Sequence, residues 1–228
     1  VKLPNGDLLA TWCREFPIKT NWSGMKSYIF FKSSDNGSSW LPYSSLDPSN
    51  YDGLSRDKTG MPGLYVLPQA VGEYPAGTIL FAVSDWDKNA QYCIHIWRST
   101  DNGATWQRNP QFQYTDNVDE WCAVKAADNK IYAFGRAKKY AATPVTVSED
   151  NGLGWYRTKN AKFKAPKCQK SAVAIGDKIY VAHPSGKKRE NGIISVGTLT
   201  YNKKGKFKGI VWTKDKDSVK INNGFFAY

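Results

Sequence analysis

The chain has 228 residues, 41% hydrophobic and 14% aromatic, enough to bury a core and too apolar for a disordered segment. Its formal charge is +12 and lies from Tyr156 onward, where 17 lysines and arginines stand against four acids. Those lysines alternate with apolar residues as on solvated strand faces and form no block, which argues against a nucleic-acid module; no apolar run approaches the roughly 20 residues of a membrane span.

Nine Trp, thirteen Tyr and ten Phe among nineteen Gly and eleven Pro describe short strands and many turns, so the expected fold class is all-β. In chain order, NGDLLATWCRE from Asn5 is a turn and a strand that begins almost at once. The chain therefore reads as a piece of a longer domain, expected to be incomplete at both ends, and it carries no targeting signal of its own. A second strand, SYIFF from Ser27, runs into SSDNGSSW, Ser33 to Trp40. Further on, AGTILFAVSD from Ala76 and CIHIW from Cys93 lead into STDNGATW, Ser99 to Trp106. DEWCAV from Asp119, NKIYAFGRA from Asn129 and PVTV from Pro144 lead into SEDNGLGW, Ser148 to Trp155. CQKSAVAI from Cys168 and DKIYVAHPS from Asp177 open a fourth unit. The four cysteines show no C-x-x-C spacing, so neither a metal site nor a disulfide pairing is read from them.

Three octapeptides fit S-x-D-x-G-x-x-W. Asp35, Asp101 and Asp150 are placed to accept turn N–H groups, the following Asn-Gly tolerates positive φ, and the Trp can fold back onto the sheet. These aspartates are therefore structural. Radial repetition of small antiparallel meanders is a β-propeller, of which about four blades are visible, and residues 1–228 form one domain.

The S-x-D-x-G-x-x-W turns resemble the Asp-boxes (BNR repeats) of the sialidase (neuraminidase) superfamily, whose catalytic domain is a six-bladed propeller. CQKSAVAI, YVAHPSGKKREN from Tyr180 and the closing GFFAY resemble the last third of an exo-sialidase domain, and DEWCAV followed by AFGRAKK resembles the blade before it. The resemblance implies a glycoside hydrolase that removes terminal sialic acids with retention, secreted or at the cell surface, without metal or organic cofactor, its partner a sialylated glycan. Tyr228 matches the family's nucleophile and Glu120 its activating carboxylate; Arg136 and Arg189 match two arginines that bind the substrate carboxylate. Arg14 resembles a further active-site arginine, and Trp86 is placed to pack on a sugar ring.

The residue types suit the chemistry. Guanidinium groups bind a carboxylate through paired charge-assisted bonds. A neutral phenol can approach an anionic sugar that would repel a carboxylate nucleophile, and a nearby carboxylate can take its proton. In the hairpin about the turn A-D-N-K, positions 120 and 136 are symmetric, so antiparallel pairing brings Glu120 and Arg136 to one end. Two elements of the family pattern are missing. The first carboxylate-binding arginine would fall before Val1, and EFPIKTNWSGMKSYIFFK, where the general-acid Asp belongs, contains no Asp. GMPGLYVLPQAVGEYPAGTILFAV from Gly60 also resembles segments of exo-arabinanase-like Asp-box proteins, so a glycosidase using two carboxylates is one alternative. A propeller that binds glycans without catalysis is the other.

Overall fold

A computed structural model describes residues 1–16, 25–47, 63–86, 92–108, 113–114, 119–136, 139–152, 154–213 and 218–221. Tyr228 lies outside these residues, as do positions 17–24 of the segment expected to carry a general acid.

The described residues hold strands, turns and no helix, arranged in four antiparallel meanders. The first joins β1 (Leu8–Phe16), β2 (Met25–Ser33) and β3 (Leu41–Leu46) in that order, and Lys2 bridges Leu8 outside β1. The second runs β4 (Gly63–Val66), β5 (Ile79–Trp86), β6 (Tyr92–Ser99) and β7 (Gln107–Arg108), with β8 (Gln113–Tyr114) also paired to β6. The third is β9 (Asp119–Lys125), β10 (Ile131–Arg136), β12 (Val145–Ser148) and β13 (Tyr156–Arg157). Between its strands β11 (Ala141–Ala142) leaves to pair with β14 (Lys164–Ala165). The fourth is β15 (Ser171–Ile175), β16 (Lys178–Pro184), β17 (Gly192–Tyr201) and β18 (Phe207–Trp212), and β19 (Val219–Lys220) pairs with β17.

The chain divides into two compact units: Val1–Asn117 with Asp150–Leu153, and Val118–Glu149 with Gly154–Tyr228. In the first unit Leu9, Tyr28 and Phe30 meet Ile79, Phe81 and Trp97 in one core. In the second, Tyr132, Phe134 and Val147 share a core with Phe163, Ile179, Val181 and Trp212. Strand β10 explains its own position: Ile131 to Phe134 is a run of unbroken apolar residues, all buried, as expected of an inner strand covered on both faces.

The S-x-D-x-G-x-x-W turns connect β2 to β3, β6 to β7 and β12 to β13. Asp35 accepts the Ser39 N–H at 2.9 Å and the hydroxyls of Ser39 and Ser33 at 2.6 and 2.7 Å, while Ser33 Oγ accepts the Gly37 N–H. Asp101 repeats this with Thr105 and Ser99. Hydrogen bonds from Ser39 and Ser33 hold the Asp35 carboxyl down at about 2. At Asp101 partial burial works to raise the pKa, but the bonds from Thr105 and Ser99 together outweigh it and hold it below the usual range. In each copy Asn and Gly both take positive φ, near 57° and 91° at Asn151 and Gly152.

The glycines have a second use. A Cβ on Gly103 would stand 2.9 Å from Leu9 Cδ2, and one on Gly152 would stand 3.0 Å from Ile96. Each of these two turns therefore seats on the core of the sheet before its own, and Ser44 of β3 donates its hydroxyl to the Gly103 carbonyl. The tryptophans follow the same rule. Trp106 is buried and stacks on Phe30 with ring centres 4.4 Å apart. Trp40 departs from the expected clamp: it is 41% exposed, its indole N–H donating to Gly37 O. The fourth meander lacks the motif, and Asn202 serves instead, its side-chain oxygen accepting the N–H groups of Lys204 and Lys206.

Candidate functional site

Strands β1, β5, β10 and β16 each precede the strand that leads into the turn of their meander, and Arg14, Trp86, Arg136 and Arg189 fall at or just beyond their C-terminal ends. In the first unit Arg14 pairs with Ser27 near the end of β1, and Trp86 pairs with Tyr92 at the end of β5. In the second unit Arg136 ends β10, and Arg189 follows Pro184, the last residue of β16.

The hairpin of β9 and β10 keeps the register expected from its turn over Ile131 to Phe134, which face Lys125 to Cys122. It then shifts by one. Arg136 faces Asp119, and Glu120 with Trp121 lies opposite Gly135 in a bulge. Bulges re-aim side chains and recur next to active sites. By register the acidic positions 119 and 120 both fall within a residue of Arg136, where symmetry alone had suggested Glu120.

Arg189 and Arg136 are linked through the segment that enters β15. Arg189 Nε donates to the Lys167 carbonyl at 3.0 Å. Three residues on, the buried Lys170 donates from Nζ to the Gly135 carbonyl at 3.1 Å and to the Cys168 carbonyl at 3.4 Å. Residues 167–170 therefore touch both the neighbour of Arg136 and Arg189 itself. Lys170 was not legible as a site residue, because a lysine before an apolar strand reads as a solvated flank. Its burial depends on carbonyl partners, one of them 35 positions away.

The Lys170 ammonium is felt by its surroundings. His183 is buried and stacked on Phe163 at 4.2 Å. Burial lowers its pKa to about 4, the bond to the Pro184 carbonyl opposes this and the charge on Lys170 adds to it. The ring is therefore neutral near pH 7: Nδ1 donates to Pro184 O, and Nε2 accepts from the Ser195 hydroxyl at 2.8 Å. With both His183 and Ser195 fully enclosed, this pair braces the end of β16. Burial likewise pushes the Cys122 thiol up to about 12, so Cys122 is an inert core residue. Among the described residues no group of three or more His, Cys, Asp or Glu is disposed to hold a metal ion, and no helix is long and apolar enough to cross a membrane.

Residues 3–218 match the family of the BNR repeat-like domain. No curated protein sequence matches. Among solved structures the chain is similar to a Hadza microbial sialidase, with 16% identity and a TM-score of 0.67 over 96% of this chain and 44% of that one. It is similar to the GH93 α-L-arabinofuranosidase of Fusarium graminearum in complex with arabinobiose, with 19% identity and a TM-score of 0.61 over 96% and 66%. It is also similar to Trypanosoma rangeli sialidase, with 16% identity and a TM-score of 0.62 over 96% and 38%. The fold is thus that of the sialidase-like β-propellers, and the chain spans under two thirds of the length of each of these three proteins.

Proposed function

We propose that this chain, which belongs to the BNR repeat-like domain family, is part of a secreted or cell-surface exo-α-sialidase-like glycoside hydrolase, with residues 1–228 contributing to one propeller domain. The observation that carries this reading is the tie from Arg189 through residues 167–170 to Gly135, which holds two guanidinium-bearing positions at strand ends of one unit, beside the Asp119–Glu120 bulge.

In this reading Arg136 and Arg189 hold the carboxylate of the sugar by charge-assisted hydrogen bonds. The Tyr228 oxygen attacks the anomeric carbon as Glu120 takes the phenolic proton, and the bond to the leaving oxygen breaks. Water then attacks the anomeric carbon and the carbon–Tyr228 oxygen bond breaks; Glu120 returns its proton to the phenolate, the proton of the water passes to solvent, and the sugar leaves with its original anomeric configuration. The segment from Glu15 to Lys32 has no Asp to protonate the leaving oxygen, so that proton comes from water and turnover forgoes the ~10²–10⁴-fold contribution of a positioned acid.

The test is to incubate the full-length protein with sialyl-lactose and with arabinan and to follow the released anomer by NMR. Release of sialic acid with retention supports the reading. Arabinose release alone points to the carboxylate-pair mechanism, and sialoside binding without turnover points to a glycan-binding propeller, the outcome that the missing Asp favours.

A further inference from the structure

At the other end of the fourth meander, where Lys178 pairs with Thr198 and not where Pro184 pairs with Gly192, lies a groove of about 710 Å³ within the second unit. That volume is in the range of about 300–1,000 Å³ occupied by ligand sites. It runs between residues 158–162 and strands β17 and β18. Three lysines line it, Lys159, Lys162 and Lys208, and no acidic residue does. Each is exposed, and among the described residues none pairs with a carboxylate.

Lys208 is there because of a second bulge. Thr200 pairs with Gly209 and Tyr201 with Phe207, so Lys208 is an extra residue on β18, and an extra residue re-aims its side chain. Concentrating like charges on one concave surface raises the energy of the empty site and favours an anion.

The floor selects among anions. Binding single-stranded nucleic acid requires aromatic faces open for base stacking. Here Trp212 is only 8% exposed and packs edge-on against Phe163. Phe207 is engaged by Tyr132, Tyr201 and the Lys130 ammonium. Tyr201, 39% exposed, also lines the groove and meets Phe207 edge-on, so one exposed ring remains with the exposed Asn160 amide, a surface suited to a sugar ring and its hydroxyls and not to a run of stacked bases.

We propose that this groove binds an acidic polysaccharide, Lys159, Lys162 and Lys208 taking its carboxylate or sulfate groups and Asn160 its hydroxyls. The site lies apart from Arg136 and Arg189 and does not depend on the sialidase reading.

Calorimetric titration at low ionic strength with oligogalacturonate, dextran sulfate and poly(dT) tests it, the first two arms distinguishing carboxylate from sulfate. The expected result is binding of at least one glycan, weakened ~10-fold or more in K159A/K162A/K208A. The control K203A/K204A/K220A removes the same charge outside the groove and should bind as the parent does; melting temperatures of both variants show that the fold is retained. Failure of both glycans to bind, equal weakening by the two triple variants, or poly(dT) binding as tightly as the glycans would overturn the proposal.

Discussion

Asp35 and Asp101 have their carboxylate oxygens taken up by hydroxyl and N–H groups two to four positions away. At the opposite strand ends Arg189 reaches a carbonyl 22 positions away and Lys170 one 35 positions away. The first arrangement satisfies its charges inside eight residues and makes a turn. The second holds its cations through contacts between residues far apart in the chain, beside the acidic positions Asp119 and Glu120. A repeated acidic motif can thus close a turn by itself, whereas the unrepeated cations depend on partners from other segments of the chain.

Four measurements test that contrast. The largest effect is expected at the turns themselves. Trp106→Ala should cost about 3–5 kcal/mol in urea denaturation, because it removes a ring stacked on Phe30. Trp40→Ala, at a half-exposed ring, should cost about 1 kcal/mol or less. Equal losses would show that these tryptophans do not act on the preceding sheet. Next, Arg136→Ala in the full-length protein should lower kcat/KM on sialyl-lactose by ~10²-fold or more with stability within about 0.5 kcal/mol of the parent; a loss of stability that matched the loss of activity would make it another structural charge.

Third is the acid response of His183. Its folded pKa of about 4 lies below the ordinary histidine value of 6.5, so between those values the unfolded chain binds the extra proton. Stability should then fall as pH drops from about 6.5 to 4, by on the order of 3 kcal/mol, and His183→Gln should flatten that slope. The smallest effect is at Asp101. Asp101→Ala should cost about 1 kcal/mol. Since the Asp101 pKa is held below its ordinary value, the difference from the parent should shrink as pH falls below about 4 and Asp101 is protonated.

The turns were legible because each copy of S-x-D-x-G-x-x-W carries all its partners within its own eight residues. The β9–β10 register was legible over four pairs because the turn at Asp128 and Asn129 fixes it. The bulge at Glu120 and Trp121 was not, since it arises beyond those pairs, where β10 also meets the Pro144 carbonyl through the Gly135 N–H. Lys170 was hidden for the same reason, and the β11–β14 pairing joins two-residue strands that leave no periodicity to read. Trp40 differs from Trp106 although their motifs are alike, because what covers a tryptophan is another sheet and not the motif.

The seating of Gly103 against Leu9 and Ile79 gives the polypeptide a direction. That loop has no bed to rest in until the strands before it are in place, and Gly152 stands in the same relation to Ile96. Ribosomal synthesis delivers the pieces from the N-terminus, so the Gly103 loop finds the strand of Leu9 already made when it emerges.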